Sequence, residues 1–183
     1  MKPVYAFAAA AALGVAALCA PAFAELKPGA AAPDFTAPAF LAGNAFTYKL
    51  SDALKKGPVV VYFFPAAHTA GCNLEAHLFS EAIDQFKAAN ATVIGVTAGN
   101  VDQLADFSKE TEHCGGKFPV AADPGAKIAS QYDTTLAARG KADWSGRTSY
   151  VIGKDGKVAF AYDNLMPQDH VSQTLTAVKS LKK

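Results

Sequence analysis

The chain has 183 residues, of which 51% are hydrophobic, and its 17 basic and 16 acidic side chains leave a formal net charge of +1. A chain of this length fits one domain with a full core that needs no disulfide or metal staples. No block of like charge stands out, which excludes a surface built to grip nucleic-acid backbones or an anionic membrane.

Met1-Lys2 is a short positive start, Val4 to Ala20 is almost purely apolar, and Ala22-Phe23-Ala24 puts small residues where a signal peptidase reads. This is the layout of a secretory signal peptide. The apolar run is short for a spanning helix, and Pro21 with the Ala-x-Ala site favours cleavage over anchoring. Leu18 before Cys19 is a poor match to a lipid-anchor signal. Residues 1–24 are therefore expected to be removed. Residues 25–183 then form a single domain, periplasmic or secreted, with no stable membrane association. Without Lys2 the mature charges balance. Cys19 leaves with the signal. Cys72 and Cys114 remain where disulfides can persist, and they read as a pair.

Glu25 to Pro38 is a Pro/Ala/Gly-rich lead-in, and Phe46 to Leu50 alternates as a short strand. Pro58 to Phe64, "PVVVYFF", is a continuous β-branched and aromatic run, expected to be a central strand buried on both faces. Cys72 to Asn90 is predicted helical. Cys72, Ala76, Phe79, Ile83 and Phe86 recur every three or four residues and make one apolar stripe. Thr92 to Ala98 is a second buried strand. Asn100 is placed to cap a helix running to about Glu112, with Val101, Leu104 and Phe107 on its apolar side. Phe118 to Ala122 is a third strand, followed by an Asp123-Pro124-Gly125 turn and a short helix through Gln131. Thr148 to Ile152 and Lys157 to Tyr162 form a hairpin turning at Asp155-Gly156. Pro167 to Leu181 is a last helix with Val171, Leu175 and Val178 inward. Strands alternating with helices predict an α/β domain, with a mixed central sheet flanked by helices on both faces. That is the general layout of thioredoxin-like domains.

The stretch "FFPAAHTAGCNLEAHLF" (Phe63 to Phe79) places Cys72 in the first turn of a helix that follows directly from a buried strand. Unpaired N–H groups and the positive end of the helix dipole favour thiolate there. Thr69 can offer its hydroxyl to that sulfur or to a bound oxygen. Pro65 ends the strand and shields the turn. Gly71 lets the backbone approach something closely. Position alone leaves two possibilities open, a reactive thiol or an inert one filling the apolar stripe.

Pro65-x-x-x-Thr69-x-x-Cys72 resembles the active-site signature of the peroxiredoxins. "VVVYFFP" before it and "AGCNLEAHLF" after it are similar to the Q type, or bacterioferritin-comigratory branch. "GRTSYVIGKDGKV" (Gly146 to Val158) resembles the family segment in which an arginine opens the strand before the hairpin. The resemblance runs from about Lys27 to the C-terminus. It implies a thiol-dependent peroxidase of thioredoxin-like fold. Cys72 would attack a hydroperoxide and become a sulfenic acid. Thr69 would hydrogen-bond the attacked oxygen, Arg147 would stabilise thiolate and leaving oxygen, and Pro65 would wall the pocket. A surface arginine at a strand start is the alternative for Arg147 on position alone.

Many Q-type members carry a second cysteine five residues after the first. Here that position is His77. The resemblance leaves Cys114, near the expected end of the Asn100 helix, as the resolving residue. Gly115-Gly116 after it would let the segment move. The implied partners are a hydroperoxide and a periplasmic thioredoxin-like thiol reductant, with the protein a monomer or weak dimer.

His68, His77 and His113 lie near the cysteines, but no two have the spacing of a metal pair, so neither a metal nor a cofactor is expected. His170 reads as a surface residue. A Cys-x-x-Cys oxidoreductase is disfavoured because Glu75 occupies the third position past Cys72. A thioredoxin-like copper-binding or metallochaperone module is the remaining alternative.

Overall fold

A computed structural model describes residues 25–181. The signal-peptide expectation for residues 1–24, Cys19 with it, and the closing Lys182-Lys183 lie outside the described residues.

The strands are β1 (Thr36–Leu41), β2 (Asn44–Lys49), β3 (Val59–Phe63), β4 (Thr92–Thr97), β5 (Val120–Ala122), β6 (Thr135–Leu136), β7 (Lys141–Ser145), β8 (Thr148–Ile152) and β9 (Val158–Asp163). The helices are α1 (Leu50–Leu54), α2 (Ala70–Ala88), α3 (Leu104–Lys109), α4 (Lys127–Gln131) and α5 (His170–Ser180). Seven strands form one mixed sheet in the order β2-β1-β5-β4-β3-β8-β9. β3, β4 and β5 run parallel, while β8 pairs antiparallel with β3, and β1 with β5. This is the expected α/β layout.

The β3 run is buried on both sides because helices cover both faces. Val60, Tyr62 and Phe64 enter one core with residues of α2, α3 and α5. Val59, Val61 and Phe63 enter the other with residues of α1 and α4. The period-2 alternation of strand side chains makes this division. Helix α2 lies along the sheet through Cys72, Ala76, Phe79, Ile83 and Phe86, all buried. Phe79 stacks on Tyr62 at a centroid distance of 4.5 Å, which fixes the height of the helix over the sheet.

Several sequence expectations change. The lead-in expected over Glu25 to Pro38 ends earlier, because Thr36 to Pro38 already belong to strand β1. This strand joins β2 through a two-residue turn in which Ala42 and Gly43 have φ of 51° and 81°. Asn100 does not cap a helix. Its φ is 52° and its side-chain amide donates to the Ala67 carbonyl at 2.8 Å, tying the loop after β3 to the end of β4. The helix after it is shorter than expected, a 3-10 turn over Val101–Gln103 leading into α3. Cys114 therefore lies beyond α3, in a run of turns ending at Gly115 and Gly116, whose φ values are 59° and 66°. The small β6–β7 ribbon was not expected at all.

Candidate active site

Strand β3 delivers the chain to Pro65, and α2 begins five residues later at Ala70. The loop between them is held to β4. The Thr97 hydroxyl donates to the Pro65 carbonyl at 3.1 Å, and Ala66 pairs in parallel with Gly99. Thr69 occupies the N-cap position of α2 with extended backbone, and its carbonyl accepts the Asn73 amide at 2.8 Å. Its hydroxyl does not cap the helix. It donates to the Ala66 carbonyl at 3.0 Å, so the oxygen keeps free lone pairs.

Cys72 is the third residue of α2 and is 1% exposed. Arg147, immediately before β8, reaches it across 75 residues of sequence, with Nη2 donating to Sγ at 3.4 Å. Arg147 is 5% exposed, so it is not a surface residue. Its other terminal nitrogen, Nη1, pairs with Oε2 of Glu75 and donates to the Gly71 carbonyl at 3.5 Å. Gly71 is where the guanidinium lies against the helix. A Cβ there would stand 3.1 Å from Nη2. The close approach expected at Gly71 is therefore the approach of Arg147.

Two site residues were missed from the sequence. Glu75 is fully buried and anchors Arg147. Burial pushes its carboxyl up to about 8, against the pull of the guanidinium. Its spacing carried a signal: Glu75 stands three residues after Cys72 and four before Phe79, on the buried stripe. His170 corrects the surface assignment, because it is fully buried. It opens α5, and α5 packs on β8 and β9. Nε2 lies 2.8 Å from the Asn164 carbonyl, which can only accept, so Nε2 carries the proton. Nδ1 then accepts from the Ser149 hydroxyl at 2.8 Å. Burial holds His170 down to about 4. Its Nδ1 is 3.5 Å from Glu75 Oε1, so a buried polar chain runs from Cys72 through Arg147 and Glu75 to His170.

Cys114 is a free thiol, fully buried in the same apolar cluster as Cys72. Burial pushes its thiol well above the ordinary range. The segment is fastened by Gly115 N–H to the Glu110 carbonyl at 2.9 Å and by Lys117 Nζ to the Ser80 carbonyl at 3.1 Å. The histidines group differently from their order along the chain. His68 and His113 meet at the carboxylate of Glu110, while His77 lines a neighbouring groove with Asn73 and Leu74.

Residues 28–161 match the model of the AhpC/TSA family. A chloroplastic peroxiredoxin Q of Oryza sativa subsp. japonica is 32% identical over 158 residues, covering 86% of this chain and 69% of its own. One from Populus jackii is 33% identical over 160 residues, covering 87% and 71%. Among solved structures, peroxidoxin BcpB from Mycobacterium tuberculosis superposes with a TM-score of 0.75 at 27% identity, over 86% of this chain and 99% of that one. A reduced 2-Cys peroxiredoxin of Plasmodium vivax shares the fold, with a TM-score of 0.73 at 20% identity over 85% and 96%. A buried cysteine opening a helix against a buried arginine thus sits in a chain whose relatives are Q-type peroxiredoxins, and the chain belongs to the AhpC/TSA family.

Proposed function

We propose that this thiol-dependent peroxidase works through Cys72, and that Pro65, Thr69 and Arg147 complete its site. The observation that carries the assignment is the Arg147 Nη2 contact with Cys72 Sγ at 3.4 Å. Arginine stays charged at any working pH and offers several donors in a rigid fork. One face of it can hold a thiolate and a leaving oxygen together.

In the first step a lone pair of the Cys72 thiolate attacks the terminal oxygen of a hydroperoxide. The S–O bond forms and the O–O bond breaks. The other oxygen, which carries the hydrogen or alkyl group, leaves as hydroxide or alkoxide and takes a proton from water. Arg147 donors stabilise the charge that grows on that oxygen, and a preorganised charged donor does this without reorganising. Thr69 accepts the O–H of the attacked oxygen, since its own proton is held by the Ala66 carbonyl. Pro65 walls the loop above the sulfur. Glu75 and Gly71 are positioning residues, which set where the guanidinium lies.

In the second step the Cys114 sulfur attacks the sulfenic acid, a disulfide forms and water leaves. Both thiols are free and buried before the reaction, and the disulfide needs the two Cα atoms within about 7 Å with correctly aimed side chains, so the segment that carries Cys114 is the part that adjusts. The two glycines after it, both in left-handed backbone, supply the local freedom. A thioredoxin-like dithiol then returns both cysteines to thiols. The Met1-Lys2 start, the apolar run and Ala22-Phe23-Ala24 support export, with residues 1–24 removed and residues 25–183 acting in the periplasm or outside the cell as a monomer or weak dimer.

Purified protein should consume hydrogen peroxide with dithiothreitol as donor, and Cys72→Ser should abolish the turnover. Undiminished consumption by Cys72→Ser would refute the assignment.

A further inference from the structure

His68, Glu110 and His113 come together from two segments that the sequence keeps far apart. His68 lies in the loop between Pro65 and Thr69. Glu110 follows α3, and His113 adjoins Cys114. Their ligand atoms all lie within 4.8 Å of one another. Glu110 Oε2 is 2.8 Å from His113 Nδ1 and 3.8 Å from His68 Nδ1.

A plain ion pair does not account for His113. Its side chain is 10% exposed, and Nδ1 sits near the carboxylate yet makes no hydrogen bond. A buried polar atom without a partner is costly and calls for one. The two rings are also set for a common ligand. They stand at 89° with centroids 5.2 Å apart, and both rest on the fully buried ring of Phe107. His68 holds its place through a left-handed φ of 58°, rare for a residue with a side chain.

We propose that His68, Glu110 and His113 form a site for a divalent transition ion of the zinc class. Two imidazoles and one carboxylate suit zinc, with a fourth position left to water. Tetrahedral zinc with bonds of about 2.0–2.1 Å separates its ligands by about 3.3 Å, between the two distances found here. Small side-chain rotations complete the set. Glu110 is 41% and His68 29% exposed at the side chain, so the ion has a path in from solvent. Nitrogen donors disfavour calcium and magnesium. A bound ion ties the active-site loop to the segment that carries Cys114.

The test is calorimetric titration of the reduced protein with zinc chloride, run in parallel on Cys72→Ser/Cys114→Ser to remove thiol ligands. One equivalent should bind in both. His68→Ala, on the exposed side of the loop, and Glu110→Gln should each weaken binding at least tenfold in the cysteine-free background, with circular dichroism unchanged. Cobalt in place of zinc should show visible bands of a nitrogen–oxygen site with no sulfur charge transfer. Amide exchange at residues 110–116 should slow on zinc addition in the parent and not in His68→Ala. No stoichiometric binding, binding lost with the cysteines, or binding unmoved by His68→Ala and Glu110→Gln would overturn the proposal.

Discussion

Gly71 and Arg147 are packed so closely that a methyl group on Gly71 would stand 3.1 Å from Nη2, the nitrogen that contacts Cys72. Arg147 cannot easily retreat, because its other nitrogen is held by Glu75. Gly71→Ala should therefore displace the guanidinium while the fold survives. A sub-ångström to 1 Å misplacement of a catalytic group costs up to about 10²-fold. We expect the rate of peroxide reduction to fall about tenfold or more in stopped-flow measurements, with the melting curve little changed. A wild-type rate would show that the arginine position is not limiting.

Arg147→Lys keeps a positive charge for Glu75 and removes the forked donors. Losing one preorganised donor at a developing oxyanion costs about 10²–10³-fold. The second-order rate constant with hydrogen peroxide should drop by that order, and the variant should remain folded by circular dichroism. A drop of less than about tenfold would mean the charge alone suffices.

The Glu75 carboxyl lies at about 8 in the fold against an ordinary 4.5, because burial disfavours the charged form. The folded state thus holds more protons than the unfolded state between those values. The stability from this group is complete below about 4.5 and is lost as pH rises through about 8. His170 runs the other way. Its folded value of about 4 lies below the ordinary 6.5, so its stability is present above 6.5 and is lost as pH falls through about 4. Between 6.5 and 8 only Glu75 of this pair carries a change. The melting temperature of Glu75→Gln should gain steadily on wild type across that interval. Parallel curves would contradict the buried carboxyl account.

Cys114→Ser separates the two chemical steps. Cys72 should oxidise at the wild-type rate, since Cys114 is not within the Arg147 contacts. Non-reducing gels and peptide mapping should show no Cys72–Cys114 linkage. Turnover with a thioredoxin-type donor should fall strongly while dithiothreitol still supports it. A hydroxyl in that fully buried position should also cost about 1–3 kcal/mol of stability. An unchanged yield of intramolecular disulfide is impossible for this variant, so the informative contrary result is full thioredoxin-driven turnover.

Much of the sheet was legible because its chemistry is one-dimensional. "PVVVYFF" is short and rich in β-branched and aromatic residues, which favours a strand buried on both sides, and Thr148 to Ile152 matched its strand residue for residue. β1 was not legible because its inward residues are Ala37 and Ala39, too small to mark a face. The β6–β7 ribbon failed for the opposite reason, since Lys141, Ala142 and Asp143 are exposed and carry no alternation. At the site, Cys72 and its loop stood out locally. Arg147 became a site residue only through family resemblance, because nothing in a lone arginine reveals a contact 75 residues away. Glu75 and His170 were hidden by a general expectation that charged and polar side chains face water. The Glu110 cluster was hidden because its members converge through the loop and turns rather than through spacing.

The most direct test of the central claim is mass spectrometry of reduced protein treated with one equivalent of hydrogen peroxide and trapped with a sulfenic-acid reagent. The account predicts oxygen added at Cys72 alone within the first moments, followed by its conversion to a Cys72–Cys114 disulfide. A protein that keeps Cys72 as a thiol while peroxide is consumed, or that oxidises first at Cys114, would contradict it.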